Sequence, residues 1–391
     1  MNSFLKFLGL AMAAAVVAGI VVYTAKFRPV FHKLDGTALT SKKIDSEVDR
    51  LMATERVPGL ALALIENGQP VYVKAYGLRN VESKQPLEAG TIMYAASLTK
   101  LAFAYMVMQL VDERIVDLDR PVATYLPKPL PEYPKYGDLA SDARWNLLTM
   151  RMLLDHTPGF PNFRFLNPDE KLDFKFDPGT RYAYSGEGFN LAQFVLENGM
   201  GLDVGKEMQR RVFDRFKMSR TSMTWRDDFA ENLADGYDVN GKHAGHDRRG
   251  SVRAAGSMDT TIADYAKFLA GFLRGEGLSP EARSEMLRPQ IAITSAHQFP
   301  TLETTTEPAN RAIGLSSGLG SVLFQSPHGA AFYKGGHNDS TDNLAVGVES
   351  KKRGILLMSN SVRAETIYPE LVKGVFGDTG LPWTWEYNPA P

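Results

Sequence analysis

Between Thr91 and Val111 the only side chain charged at neutral pH is Lys100, and Ser97 precedes it by three residues. Around the lysine, Leu101, Phe103, Met106, Val107, Leu110 and Val111 predict a helix that is apolar on nearly every side, and such a helix belongs inside a protein. Burial penalises the ammonium form and favours the free amine, so a lysine there can act as a base. Positions i and i+3 share a helix face. The amine therefore reaches the hydroxyl of a serine in the first turn, where the helix dipole also favours a developing alkoxide. The chemistry implied is an activated serine attacking a carbonyl. The tetrad by itself is weak evidence, because Ser3-Phe4-Leu5-Lys6 has the same spacing and no plausible chemistry.

Acyl transfer by such a serine needs a proton acceptor, often a second proton shuttle, and donors for the oxyanion. Asp177-Pro178-Gly179-Thr180-Arg181-Tyr182-Ala183-Tyr184-Ser185-Gly186 is a turn leading into a tyrosine pair. A phenol beside an amine can shuttle protons, which makes Tyr184 a candidate. Tyr333-Lys334-Gly335-Gly336-His337-Asn338-Asp339 follows the strand-like Ala330-Ala331-Phe332. Its two glycines let a ligand approach the backbone closely. An edge strand with free N–H groups could bind substrate and stabilise an oxyanion, and Lys334 would add positive charge for a substrate carboxylate. Each motif also has a plainer reading: a snorkelling lysine, a packed aromatic and a glycine hairpin with a solvated lysine. His243-Ala244-Gly245-His246-Asp247 has metal-like spacing but lies in a glycine-rich, charged stretch that reads as a loop. His156 reads as structural, and Glu187 as a solvated helix-start residue.

The elements that must position these residues change period along the chain. A polar-faced helix is expected from Ser41 to Met52. Leu60 to Ile65 and Val71 to Val73 read as strands flanking Asn67-Gly68, a strong hairpin signal, with the first strand apolar on both faces. The Ser97 helix comes next and is expected to stop at Asp117 to Pro121. Pro121, Pro127, Pro129, Pro131 and Pro134 then mark an extended, exposed connection. Helical patterns recur at 148–154, 189–197, 205–216 and 261–273, and Thr301 to Pro308 reads as a polar connector. Strand signals return at 321–324, 330–333, 343–348 and 355–358 as a meander, before a last helix between Arg363 and Phe376. Strands from both chain ends thus bracket a long helical insert. The expectation is one sheet built from both ends with a second, helical lobe, and a cleft between them.

The 391 residues suffice for one large domain or two lobes, and 44 basic against 45 acidic residues leave no basic excess for nucleic acid. There is no cysteine, which excludes disulfides, thiolate catalysis and zinc–cysteine sites. Phe7 to Ala25 carries no charge and is roughly long enough to span a bilayer core. Residues 1–28 therefore read as an uncleaved N-terminal anchor, since cleavage after Ala25 would put Tyr23 where a small residue is preferred. Lys26, Arg28 and Lys33 outnumber Lys6 and oppose export of the downstream chain, although large domains can translocate despite such bias.

In order and spacing, the Ser97, Tyr184 and Lys334 motifs resemble those of the serine β-lactamase and penicillin-binding-protein superfamily. The similarity is narrower to the class C β-lactamase branch, which includes D-alanyl-D-alanine carboxypeptidase-like proteins and family VIII carboxylesterases. Gln109 to Glu113, Leu153 to Gly159, Pro178 to Thr180 and Ala255 to Met258 resemble stretches of that branch, and the likeness runs from about Ile44 to Val375. The resemblance implies a β-lactamase/transpeptidase-like fold over residues 41–376. Its sheet lobe would comprise about 41–90 and 310–376, with a flanking helical lobe of about 91–309 and a C-terminal tail of 377–391. It implies Ser97 as the acylated nucleophile, Lys100 as its base and Tyr184 as the tyrosine of the Tyr-x-Asn box. Lys334, Gly335 and Gly336 match the Lys-Thr-Gly box, and the backbone N–H groups of Ser97 and His337 would form the oxyanion hole. No metal or cofactor is implied. The partner would be a small-molecule or peptide-like substrate, and the catalytic domain would be extracytoplasmic. Gly186 stands where the family has asparagine, and Gly335 where it has threonine. Both losses weaken the case for antibiotic hydrolysis and leave ester or peptide chemistry open, with a non-turnover sensor of cell-wall peptides as the alternative.

Overall fold

Asn67 and Gly68 both take positive φ, 52° and 70°, and so close a two-residue hairpin turn whose twist suits the strands it joins. In the computed structural model, which describes residues 30–387, that turn links β1 (Gly59–Glu66) to β2 (Gln69–Asn80). Next comes β3 (Gln85–Pro86). The remaining strands of the same sheet come from the far end of the chain: β4 (Ile291–Ala292), β5 (Ser316–Ser317), β6 (Val322–Ser326), β7 (Gly329–Asn338), β8 (Thr341–Val348) and β9 (Arg353–Ser359). Together they form one nine-stranded antiparallel sheet in the order β4-β5-β6-β7-β8-β9-β1-β2-β3. The two chain ends meet where β9 pairs with β1, Ile355 opposite Leu64 and Leu357 opposite Leu62.

The helices used below are α1 (Ser41–Glu55), α2 (Leu98–Asp112), α3 (Met150–Leu154), α4 (Gly186–Met200), α5 (Ile262–Arg274), α6 (Tyr368–Val375) and α7 (Trp383–Glu386). The period of two along β1 assigns its side chains to two cores. Leu60, Leu62 and Leu64 join Ile44, Val48 and Leu51 of α1 and Leu371 and Val372 of α6. Ala61, Ala63 and Ile65 join Leu269 and Leu273 of α5 and the whole apolar length of α2. Every residue of α2 from Leu98 to Leu110 is buried. This β-lactamase/transpeptidase-like arrangement, a large antiparallel sheet with flanking helices, is the fold expected from the sequence.

Several local expectations are corrected. Helix α2 ends at Asp112, before Asp117, because Arg114 enters the left-handed region with φ 58°. The proline-rich stretch is not merely extended and exposed. It forms short 3₁₀ turns at Val122–Tyr125, Leu130–Glu132 and Pro134–Leu139, with Val122, Leu130, Tyr136 and Leu139 buried. Proline's fixed φ suits a first helical turn, where the missing N–H costs nothing. The strand β4 arises inside the stretch expected to be helical. The Lys334-Gly335-Gly336 run is no hairpin, because β7 continues through it to Asn338. Nor is β7 an edge strand along its whole length. Its first half pairs with β6 as far as Tyr333, and beyond that residue only β8 accompanies it.

The C-terminal segment 377–387 is not a free tail. Trp385 and Tyr387 are buried against the sheet, and the Tyr387 hydroxyl donates to the Asn343 carbonyl of β8 at 3.1 Å. The proposed N-terminal anchor, residues 1–28, lies outside the described residues. Among the described residues no helix is long and apolar enough to cross a membrane.

Candidate active site

Ser97 caps the N-terminal end of α2 with φ −74° and ψ −2°, immediately after Ala96 in the left-handed region at φ 47°. A non-glycine residue at positive φ is uncommon and stores strain unless its surroundings hold it. Here the Ala96 carbonyl accepts from Thr99 Oγ1 at 2.6 Å, and the Leu98 carbonyl accepts from the Tyr265 hydroxyl at 3.0 Å. The sharp entry turns the serine out of the core, leaving Ser97 half-buried while its neighbours Ala96 and Leu98 are buried.

Lys100 from the next turn of α2 and Tyr184 from a distant part of the chain converge on it, with Lys334 behind the tyrosine. Lys100 Nζ donates to Ser97 Oγ at 3.1 Å and to the Ala255 carbonyl at 2.5 Å. The Tyr184 hydroxyl donates to Ser97 Oγ at 2.7 Å. On its other side, Lys334 Nζ lies 3.4 Å from the Tyr184 hydroxyl and donates to the Gly335 carbonyl at 2.9 Å. Both amines also face the Tyr184 ring at 4.9 Å from its centroid. Lys100 is fully buried, and burial draws its pKa below the ordinary lysine value. The neighbouring Tyr184 opposes that fall, and the like charge of Lys334 adds to it. Lys334 is lowered for the same first reason, with Glu386 opposing.

Tyr184 owes its place to the turn after α3. His156 sits at φ 63°, and its ring lies 4.4 Å from that of Tyr184. Its Nδ1 accepts the Ser185 N–H at 3.0 Å, which requires the proton of the neutral ring to be on Nε2. Burial, then Lys100 and Lys334, push the His156 pKa well down, so the ring stays neutral and keeps that acceptor. Ser185 caps α4, taking the Gly188 N–H at 3.0 Å. The structural role expected of His156 is therefore specific: it backs the tyrosine.

Strand β7 passes so close to Ser97 that a Cβ at Gly336 would come within 2.8 Å of both the Ala95 carbonyl and the Leu98 nitrogen, and 3.0 Å of the Ser97 nitrogen. The glycine brings the backbone of 336–337 alongside the Ser97 amide, which precedes α2 and takes no part in its ladder. Gly336→Ala is expected to push β7 away and lower kcat by about 10²–10³, with KM changed far less, the effect of losing one oxyanion donor. Steady-state kinetics on one ester measure it. The His337 side chain itself is exposed and packs on Phe299, rings 5.1 Å apart.

Where the resemblance implied an asparagine amide, at Gly186, the room is taken. A Cβ there would meet Phe163 Cζ at 2.6 Å, while the Gly186 N–H donates to Asn162 Oδ1 at 3.0 Å. Phe163 stacks on Phe165 at 5.2 Å, and Phe299 lies 5.5 Å from the Tyr184 ring. Aromatic rings thus flank Gly186 and Tyr184. Sequence reading missed Phe163 and Phe299, because neither sits in a periodic element. It also missed the Ala255 carbonyl, a backbone group that no side-chain pattern reports. Glu187 is not solvated: it is buried and paired with Arg164 at 2.9 Å. His246 packs its Nε2 against Asp259 at 3.1 Å, and among the described residues no three acidic, histidine or cysteine side chains group as a metal site would require.

The chain is similar to several known proteins. A lovastatin esterase of Penicillium rubens is 25% identical over 333 residues, 72% of this chain and 82% of that protein. A beta-lactamase of Pseudomonas fluorescens is 25% identical over 209 residues, 51% of this chain and 55% of that protein. The chain spans only about half the length of several such relatives, 45% in one case. Among solved structures, the octameric penicillin-binding protein homologue from Pyrococcus abyssi superposes with a TM-score of 0.70 at 21% identity. That match covers 88% of this chain and 80% of that one, and it speaks for the fold alone. The Beta-lactamase family model matches residues 44–370, and the chain belongs to that family.

Proposed function

We propose that the protein is a serine hydrolase that forms an acyl-enzyme on Ser97, with esters as its preferred substrates. The observation that carries the reading is the convergence of Lys100 Nζ and the Tyr184 hydroxyl on one half-buried serine oxygen. Ser97 Oγ attacks the ester carbonyl while its proton passes to the free amine of Lys100. The oxyanion is held by the N–H groups of Ser97 and His337. The Tyr184 hydroxyl gives its proton to the leaving alkoxide, and transfer from the Lys100 ammonium to the Tyr184 phenolate restores both groups. Water then attacks the acyl carbon, and the same groups return a proton to Ser97 as the acid leaves.

Esters are favoured over amides and lactams because Phe163 occupies the space beside Gly186, removing the amide that would hold a peptide-like side chain. The aromatic surroundings of Phe163 and Phe299 suit an apolar acyl or alcohol group. The esterase among the relatives is consistent with this preference. The uncharged run from Phe7 to Ala25 supports a membrane-anchored enzyme.

The test is rapid quenching of the full chain with 4-nitrophenyl butyrate and, separately, benzylpenicillin, with intact mass and peptide mapping as the readouts. A transient butyryl adduct on the peptide containing Ser97, with continuing nitrophenol release, is the expected result. Release without any adduct at Ser97 would sink the assignment. A lasting penicilloyl adduct without turnover of either substrate would instead favour a sensor.

A further inference from the structure

One buried amide joins the two backbone segments that meet at the serine. Asn343 lies on β8 directly opposite Gly336 of β7 and is fully buried. Its Nδ2 donates to the Gly336 carbonyl at 2.8 Å and to the Tyr94 carbonyl at 3.1 Å. Tyr94 stands three residues before Ser97 in the chain. Both amide hydrogens are therefore spent on carbonyls, one in each segment that would supply an oxyanion donor. Because both neighbours are acceptors, the nitrogen of the amide and not its oxygen must face them. The main chain that carries this side chain is itself held. The Tyr387 hydroxyl donates to the Asn343 carbonyl at 3.1 Å, and the Tyr368 hydroxyl to the Asp342 carbonyl at 2.8 Å.

The bond to Gly336 does more than join two strands. The Gly336 carbonyl and the His337 N–H belong to one planar trans peptide and point in opposite directions. A carbonyl drawn towards Asn343 on β8 turns that N–H to the far side of β7, which no strand covers beyond Tyr333. The bond to Tyr94 holds the other segment, from which the chain runs through Ala95 and the left-handed Ala96 to the Ser97 N–H. Stability alone does not account for an asparagine here. Among the described residues its buried Oδ1 has no hydrogen-bond partner, a cost that an apolar side chain of similar shape would avoid.

We propose that Asn343 is the positioning residue of the oxyanion hole, its one amide group tying the peptide that carries the His337 N–H to the backbone that leads into Ser97. It touches neither substrate nor the reacting atoms and acts through the two N–H groups it sets. The proposal rests on the acyl-enzyme reading above and adds the residue that fixes where the oxyanion is held.

The test measures hydrolysis of 4-nitrophenyl butyrate together with inhibition by propylboronic acid, whose boron bonds to the serine oxygen and places a hydroxyl where the oxyanion of the butyryl ester would form. Asn343→Leu removes both donors. It is expected to lower kcat on the order of 10–10²-fold with KM within about threefold of the wild type, and to raise the Ki of propylboronic acid by the same factor as the loss in kcat. Val348→Ala supplies the stability control: Val348 is buried at the other end of β8, opposite Ala331. Its kcat and Ki should stay at wild-type values although its Tm falls. Asn343→Ser, smaller than the residue it replaces, should shift kcat and Ki in the same direction and serves if the leucine variant does not fold. Unchanged kcat and Ki in a folded Asn343 variant, a loss confined to KM, or a loss that Val348→Ala matches at equal Tm would each overturn the positioning role. With turnover abolished in Ser97→Ala, any of these would leave the acyl-enzyme intact. Turnover persisting in Ser97→Ala would overturn both readings.

Discussion

Ser97→Ala is expected to lower ester turnover by on the order of 10⁴–10⁶, close to the uncatalysed rate, while leaving Tm within a degree or two of the wild type. The size of the loss reflects the convergence of groups on one atom. Lys100, Tyr184 and, through Tyr184, Lys334 all act on Ser97 Oγ. Once that oxygen is gone, none of them has a reacting partner. The fold should survive because Ser97 is half-buried at a helix cap and makes no side-chain capping bond. Nitrophenol release and circular dichroism measure the two halves of this expectation. A residual rate within tenfold of the wild type would remove Ser97 from the mechanism.

Lys100→Met is expected to lower kcat/KM by about 10²–10⁴, the usual worth of a positioned base. It should also remove a limb from the pH profile. The free amine is the active form, so the wild-type rate should rise with pH through the Lys100 pKa, which burial sets below 10.5. The variant should lack that rise. Stability should carry the same signature with its own sign. Between the lowered pKa and 10.5 the unfolded chain binds the proton that native Lys100 has shed. Wild-type stability therefore climbs with pH across that window. The variant has no such climb from this position, so its Tm relative to wild type should be highest below the window and fall as pH approaches 10.5. A rising limb that survives in Lys100→Met would assign the titration to another group.

Much of this site was legible because its parts are local in sequence. An uncharged helix broken by one lysine predicts burial, and a serine three residues earlier predicts reach. The structure shows Lys100 buried and its amine on Ser97 Oγ. The Asn-Gly turn and the two apolar faces of β1 likewise depend on near neighbours, and they appear where expected. The proline-rich stretch was misread because proline both breaks regular structure and starts 3₁₀ turns. Only the burial of Val122, Leu130 and Tyr136 decides between these outcomes. Glu187 was misread for a similar reason, since its partner Arg164 is 23 residues away.

Residue types and their spacing were enough to establish which groups could do chemistry, in what order, and which two positions depart from the family boxes. They were enough because side-chain identity and helical reach are set within a few bonds. The meaning of those departures became visible only in three dimensions. Gly186 marks room taken by Phe163, and Gly335 marks room taken by Glu386. Chain position links neither pair, and close packing forbids two side chains from sharing one volume. Which residue yields that volume is settled only when the C-terminal segment and the turn after α3 are brought against the sheet.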